Sequence, residues 1–191
     1  MAIAINGTGT ITGITSGGLP DGIVTQSDLA TGLNTIQMVD GYFLTTSTAT
    51  SSSDLLLSTN ISKIEGAITA GTSIGSAMTN SSGTWSFPSV GKYLIYFQAT
   101  FYDDVQQRYC DARIHMTTDN SNYNLSSRAY AIIYDDATNA YSTASCWHFV
   151  DVTDTAQVKV QFKVTTESAA YVRGAADTFQ TGMYFIRLGE T

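Results

Sequence analysis

The chain has 191 residues, a formal net charge of −7 and only 13% charged side chains, about half the usual share for a globular protein. The acidic balance argues against a phosphate-binding surface, and so against a nucleic-acid partner. Scarce Lys, Glu, Arg and Leu argue against a helical bundle, and no apolar run reaches the roughly 18 residues of a membrane span, so no membrane insertion is expected.

The start, Met1 to Gly7, lacks the basic stretch and long apolar run of a secretory leader, which predicts synthesis in a cytoplasm. Ile3, Ile5, Ile11 and Ile14 then sit among Gly7, Gly9, Gly13, Gly17 and Gly18. This pattern predicts short β segments joined by tight turns. Leu19-Pro20-Asp21-Gly22 is a turn: proline presets φ and glycine supplies positive φ. Ser27 is placed to cap a short helix over 28–32, with Asp28 in its first turn and Gly32 ending it. Thr45 to Ser53 is a polar tract that reads as a linker or exposed turn.

The first cation of the chain is Lys63; before it stand only Asp21, Asp28, Asp40 and Asp54. This shift in composition divides the chain into an N-terminal attachment arm and linker over 1–59 and a C-terminal domain over 60–191. The arm is too poor in apolar residues to bury a core of its own.

Beyond Asp54 the pattern is strand, turn, strand. In Tyr93 to Tyr102 one face carries Tyr93, Ile95, Phe97, Ala99 and Phe101, the other Leu94, Tyr96, Gln98, Thr100 and Tyr102. Both faces bear aromatic or apolar groups, which implies cover on both sides. Cys110, Ala112, Ile114 and Met116 alternate with Asp111, Arg113 and His115. Val158, Val160, Phe162 and Val164 alternate with Lys159, Gln161 and Lys163, a strand with one wet face. Met183 to Leu188 closes the chain. Many short strands without a helical period predict an all-β antiparallel sandwich.

Within that sandwich, Gly83-Thr-Trp85-Ser-Phe87-Pro88-Ser-Val-Gly91-Lys-Tyr93 leading into the aromatic strand resembles the C1q/TNF-like jelly-roll family. Arg113 to Met116 before Asp119-Asn120, Val150 to Val160, and Phe179-Gln-Thr-Gly182-Met-Tyr-Phe185 follow in the family's order. The resemblance covers about residues 60–189 and implies a compact homotrimer. It offers a neighbouring subunit as the cover for Tyr96 and Tyr102; another part of the same chain is the alternative. The collagen stalk that animal members often carry is absent, since no Gly-X-Y repeat occurs.

The arm has a resemblance of its own. Gly13 to Ala30, around Gly17-Gly18-Leu19-Pro20-Asp21-Gly22, is similar to a segment of tailed-phage fibre and decoration proteins. Together the two resemblances imply a virion protein. Leu19, Pro20, Asp21 and Gly22 would lie in the arm that anchors it to a capsid or tail protein, behind a trimeric knob. The chain's length, short for a tail fibre, favours a capsid decoration, cement or head-fibre role. A short tail fibre or receptor-binding spike is the alternative.

Catalytic signatures are sparse. Gly7, Gly9 and Gly13 do not make a dinucleotide-binding spacing, and no cofactor is implied. Cys146 and His148 would share one strand face, a weak sign of a Cys–His pair, but no glycine-rich elbow accompanies them. Cys110 and Cys146 fit no metal spacing and read as buried thiols. Asp103-Asp104 and Asp135-Asp136 read as solvated acids at strand ends, with a loop calcium as the other reading. The richest surface candidate is 120–130. Its Tyr123, Asn124, Arg128 and Tyr130 combine rigid aromatic area with adaptable hydrogen bonding, which suits contact with a host-surface glycan or receptor. Ordinary strand packing is the competing reading of the same tyrosines.

Overall fold

A computed structural model describes residues 36–135 and 138–191. The turn at Leu19, Pro20, Asp21 and Gly22 and the capped helix at 28–32 lie outside the described residues. Among the described residues every regular element is a β-strand, and the strands form two antiparallel sheets packed as a jelly roll.

The first sheet is built around β7, Gly91–Asp103. The whole length of β7 pairs with β10, Ala140–Val152. Its other edge is shared. β13, Gly182–Gly189, takes Lys92 to Gln98, and β12, Ala170–Val172, takes Phe101 and Tyr102. β1, Met38–Leu44, and β4, Ile61–Lys63, continue the sheet beyond β13, and β2, Thr48–Thr50, continues it beyond β12.

The second sheet runs β5, Thr79–Ser81; β6, Thr84–Ser86; β11, Lys159–Thr166; β8, Gln107–Thr117; and β9, Asn124–Ile133. β3, Leu55–Leu56, pairs with the far end of β11. The chain therefore crosses between sheets again and again, the connectivity of a Greek-key sandwich.

Alternation decides which side chains meet between the sheets. Tyr93, Ile95, Phe97, Ala99 and Phe101 of β7 are fully buried, as are Val160, Phe162 and Val164 of β11 and Cys110, Ala112 and Ile114 of β8. At the centre Phe162 packs against Phe97, Phe185 and Trp85, with ring centroids 5.0, 5.7 and 6.5 Å apart. Trp85 in turn lies 4.4 Å from Tyr42. These tilted and edge-on contacts are those aromatic quadrupoles prefer.

Two glycines in the family-like motifs have steric reasons. Gly91 has φ +141°, and a Cβ there would stand 2.6 Å from Arg187 Nε and Gly189 O. At Gly182 a Cβ would collide with the Tyr42 carbonyl and the Phe179 ring.

The sequence places a boundary at 59/60. β1, β2 and β3 all lie within 1–59, yet they are strands of the two sheets. The polar tract at 45–53 is no free linker. Thr50 is buried and its hydroxyl meets that of Thr166 at 2.9 Å. Met38, Phe43 and Leu44 belong to the core.

Candidate functional site

The outer face of the first sheet carries a broad set of partly exposed aromatic side chains. β7 turns Leu94, Tyr96, Gln98, Thr100 and Tyr102 outward, as the period of two requires. Register then fixes their neighbours. β10 sets Phe149 beside Leu94, Trp147 beside Tyr96 and Tyr141 beside Tyr102. β13 adds Ile186 and Tyr184, and β12 adds Tyr171.

The result is two aromatic clusters with a polar belt between them. In one cluster Tyr96 lies 4.3 Å from Trp147 and 6.5 Å from Tyr184. In the other Tyr102 stacks on Tyr171 at 5.2 Å and lies 5.6 Å from Tyr141, while the Arg173 guanidinium sits 4.8 Å from the Tyr141 ring. The belt is closed by its own hydrogen bonds. Tyr96 donates its hydroxyl to Gln98 Oε1 at 2.6 Å, and Gln98 Nε2 donates to the Gln180 carbonyl at 3.0 Å. The Thr100 and Thr143 hydroxyls are 2.9 Å apart.

Charge is sparse. Lys92 and Asp151 face each other at 4.0 Å at one end, and Arg173 reaches over Tyr141 beside the polar belt, where it lines a hollow with Gln98, Thr100, Thr143 and Gln180. Trp147, Phe149 and Tyr141 remain more than half exposed, at 53%, 56% and 54%. Tyr96 and Tyr102 thus sit on one surface but in different clusters, and no described segment closes over their neighbours.

The predicted recognition residues lie on the other sheet. Arg128 and Tyr130 are brought together on β9: Arg128 Nη1 donates to the Tyr130 hydroxyl at 2.6 Å. Tyr123 and Asn124 are at the start of the same strand, about 15 Å away by strand rise. The four do not form one site. Tyr109, Asp111 and Arg113 of β8, which line a cleft with Arg128 and Tyr130, were not singled out from the sequence. The only signal was the outward position of Asp111 and Arg113 in an alternating strand; the pairing of β8 with β9 was not legible.

The other chemical candidates are structural. Cys146 and His148 both turn away from the outer face, as expected for one strand. Burial pushes the Cys146 thiol up to about 11, however, and the Cys146 Sγ lies 3.7 Å from the Ala112 carbonyl. A nucleophilic cysteine needs the opposite shift. Burial likewise takes Cys110 up to about 12. Asp103 Oδ2 accepts a hydrogen bond from Gln107 Nε2 at 2.7 Å, so this acid holds the turn into β8. Among the described residues no three His, Cys, Asp or Glu side chains converge as a metal site would require.

No protein-family model matches the chain, and no curated protein sequence matches it. Its likeness is to solved structures. Murine APRIL aligns with a TM-score of 0.56 and 13% identity, over 79% of this chain and 98% of that one. The Eiger TNF from S. frugiperda aligns with a TM-score of 0.56 and 11% identity, over 80% of this chain and 93% of that one. These likenesses show a TNF-like jelly-roll fold. The vertex protein P5 of PRD1 aligns over 81% of this chain at 11% identity, but its TM-score of 0.48 is too low to carry an argument.

Proposed function

We propose that this chain is a non-catalytic structural protein of a phage virion, assembled as a homotrimer through the outer face of its first sheet. The observation that carries the assembly is the half-exposed surface around Tyr96, Trp147 and Phe149. Interface cores are enriched in Tyr, Trp and Phe and depleted of charge, and this face has both properties. Tyrosine and tryptophan suit such a position because each carries a polar tip on an apolar body.

The virion setting rests on the arm. Its Leu19-Pro20-Asp21-Gly22 motif, within the stretch similar to phage fibre and decoration segments, would anchor the chain to a capsid or tail protein. The β-sandwich then stands outward as a knob. Deleting residues 1–35 tests the attachment. The shortened protein is expected to keep its strand content and oligomeric mass but no longer to co-sediment with particles. Continued decoration of particles by the deletion would move the anchor into the knob and end this assignment.

The exposed Arg128 and Tyr130 pair favours a second reading, a short tail fibre or receptor-binding spike. Copy number per virion separates the two: hundreds of copies fit a capsid decoration or head fibre, a few tens or fewer fit the tail.

A further inference from the structure

The outer face of the second sheet carries a cleft of a different kind. β8 and β9 pair so that Tyr130 stands opposite Asp111 and Arg128 opposite Arg113. Tyr109, Asp111, Arg113, Arg128 and Tyr130 line an open cleft of about 250 Å³.

Its floor is a buried carboxylate. Asp111 is 1% exposed; its Oδ2 accepts a hydrogen bond from Arg113 Nη2 at 2.7 Å and forms an ion pair with Arg128 Nε at 3.2 Å. Asp54 pairs with the other end of Arg113. Yet Asp111 Oδ1 and Arg113 Nε, both buried, find no hydrogen-bond partner among the described residues. A buried carboxylate oxygen left in that condition is costly, by about 1–3 kcal/mol or more. A donor supplied from outside the chain would remove the cost.

The walls say what kind of donor. Tyr130 is 59% exposed, with the Arg128 guanidinium 5.2 Å from its ring centroid. Two carboxylates, Asp54 and Asp111, balance the two guanidinium groups, so the cleft has no bare cation to attract phosphate. A flat aromatic wall, a carboxylate acceptor and guanidinium donors within one small cleft suit a polyhydroxylated ring. The C–H face of the ring would stack on Tyr130. One hydroxyl would donate to Asp111, and its neighbour would accept from Arg128 or the Tyr130 hydroxyl. Arg128, held to Asp111 by one longer contact and partly exposed, is the side chain that shifts to admit the first hydroxyl.

We propose that this cleft binds a neutral pyranose residue of a polysaccharide. The proposal deepens the reading above and rests on it only for avidity. Each chain holds a complete cleft, on the sheet opposite the aromatic face, and three copies on one axis would strengthen a weak single-site contact.

Saturation-transfer NMR on the full chain tests it, with the methyl glycosides of glucose, galactose and mannose at about 10 mM each. Transfer to the ring protons of at least one glycoside is expected, with a dissociation constant on the order of millimolar. Tyr130→Ala is expected to abolish transfer. Arg128→Ala should weaken binding about tenfold and Tyr130→Phe about threefold, since Phe keeps the stacking wall and loses only the hydroxyl. Tyr134→Ala, at a 72% exposed tyrosine outside the cleft, should change nothing. Absence of transfer to all three glycosides overturns the proposal. So does transfer that survives Tyr130→Ala, or, should that variant not fold, binding unaffected by both Arg128→Ala and Tyr130→Phe. A monomer that binds glycosides would remove the trimer and keep the cleft; a trimer that binds none would do the reverse.

Discussion

At the residue scale, His115 shows how position overrides type. It lies on the outer side of β8, opposite Gln161 of β11 and Leu125 of β9, yet it is buried. Burial, with Lys163 nearby, lowers its pKa from the ordinary 6.5, against the opposing pull of Asp54. Burial lowers His148 in the same direction. As pH falls below about 6.5 the unfolded chain takes up protons that the folded histidines refuse, so stability falls with pH. The carboxylates with lowered pKa, Asp54, Glu65, Asp119 and Glu167, lose their contribution only at lower pH, outside this window. Unfolding free energies from urea titrations are therefore expected to drop between about pH 7 and pH 5, by at most about 1.4 kcal/mol per pH unit for each proton. His115→Gln should flatten the dependence. A free energy that rises on acidification would contradict the account. Gly91 gives a second residue-level test. Gly91→Ala forces an L side chain into φ +141° against Arg187 and Gly189, and should cost about 1–3 kcal/mol in chemical denaturation.

At the element scale, β7 and β11 were legible because Tyr93 to Phe101 and Val158 to Val164 alternate in sequence, with every inward residue of those stretches apolar or aromatic. β1 was not. Its seven residues include Asp40 and Gly41, and its burial pattern breaks the period of two. Asp40 is tolerated there because it accepts the Met78 amide at 2.8 Å and the Tyr42 hydroxyl at 2.8 Å and pairs with Lys63 at 3.5 Å. None of these partners is readable from local sequence. β2 failed for a related reason: Thr-Ala-Thr reads as polar linker until Thr166, 116 residues away, supplies the hydroxyl partner of Thr50. The cleft was half legible. Arg128 and Tyr130 stood out by composition, but their companions come from β8 through a register that no spacing announces. Within the core, Phe162→Ala removes the ring that joins Trp85, Phe97 and Phe185 and is expected to cost about 3–5 kcal/mol. On the outer face Trp147→Arg should leave circular dichroism unchanged while dissociating the assembly, because a charge would enter the aromatic cluster around Tyr96. An unchanged assembly would place the contact elsewhere.

At the scale of the whole molecule, the two sides of the sandwich carry opposite chemistry. One is aromatic and sparsely charged. The other presents balanced ion pairs around a small polar cleft. A monomer in solution would leave Trp147, Phe149, Tyr141 and Tyr171 about half exposed on one continuous surface, the kind of patch that marks an interaction site. Threefold assembly through that surface would cover it and leave the three clefts facing outward. The central claim is therefore tested most directly by the mass of the full chain in dilute neutral buffer, by sedimentation equilibrium. The account predicts a single species at three times the 20.5 kDa chain, about 62 kDa. A stable species at 20.5 kDa would contradict it.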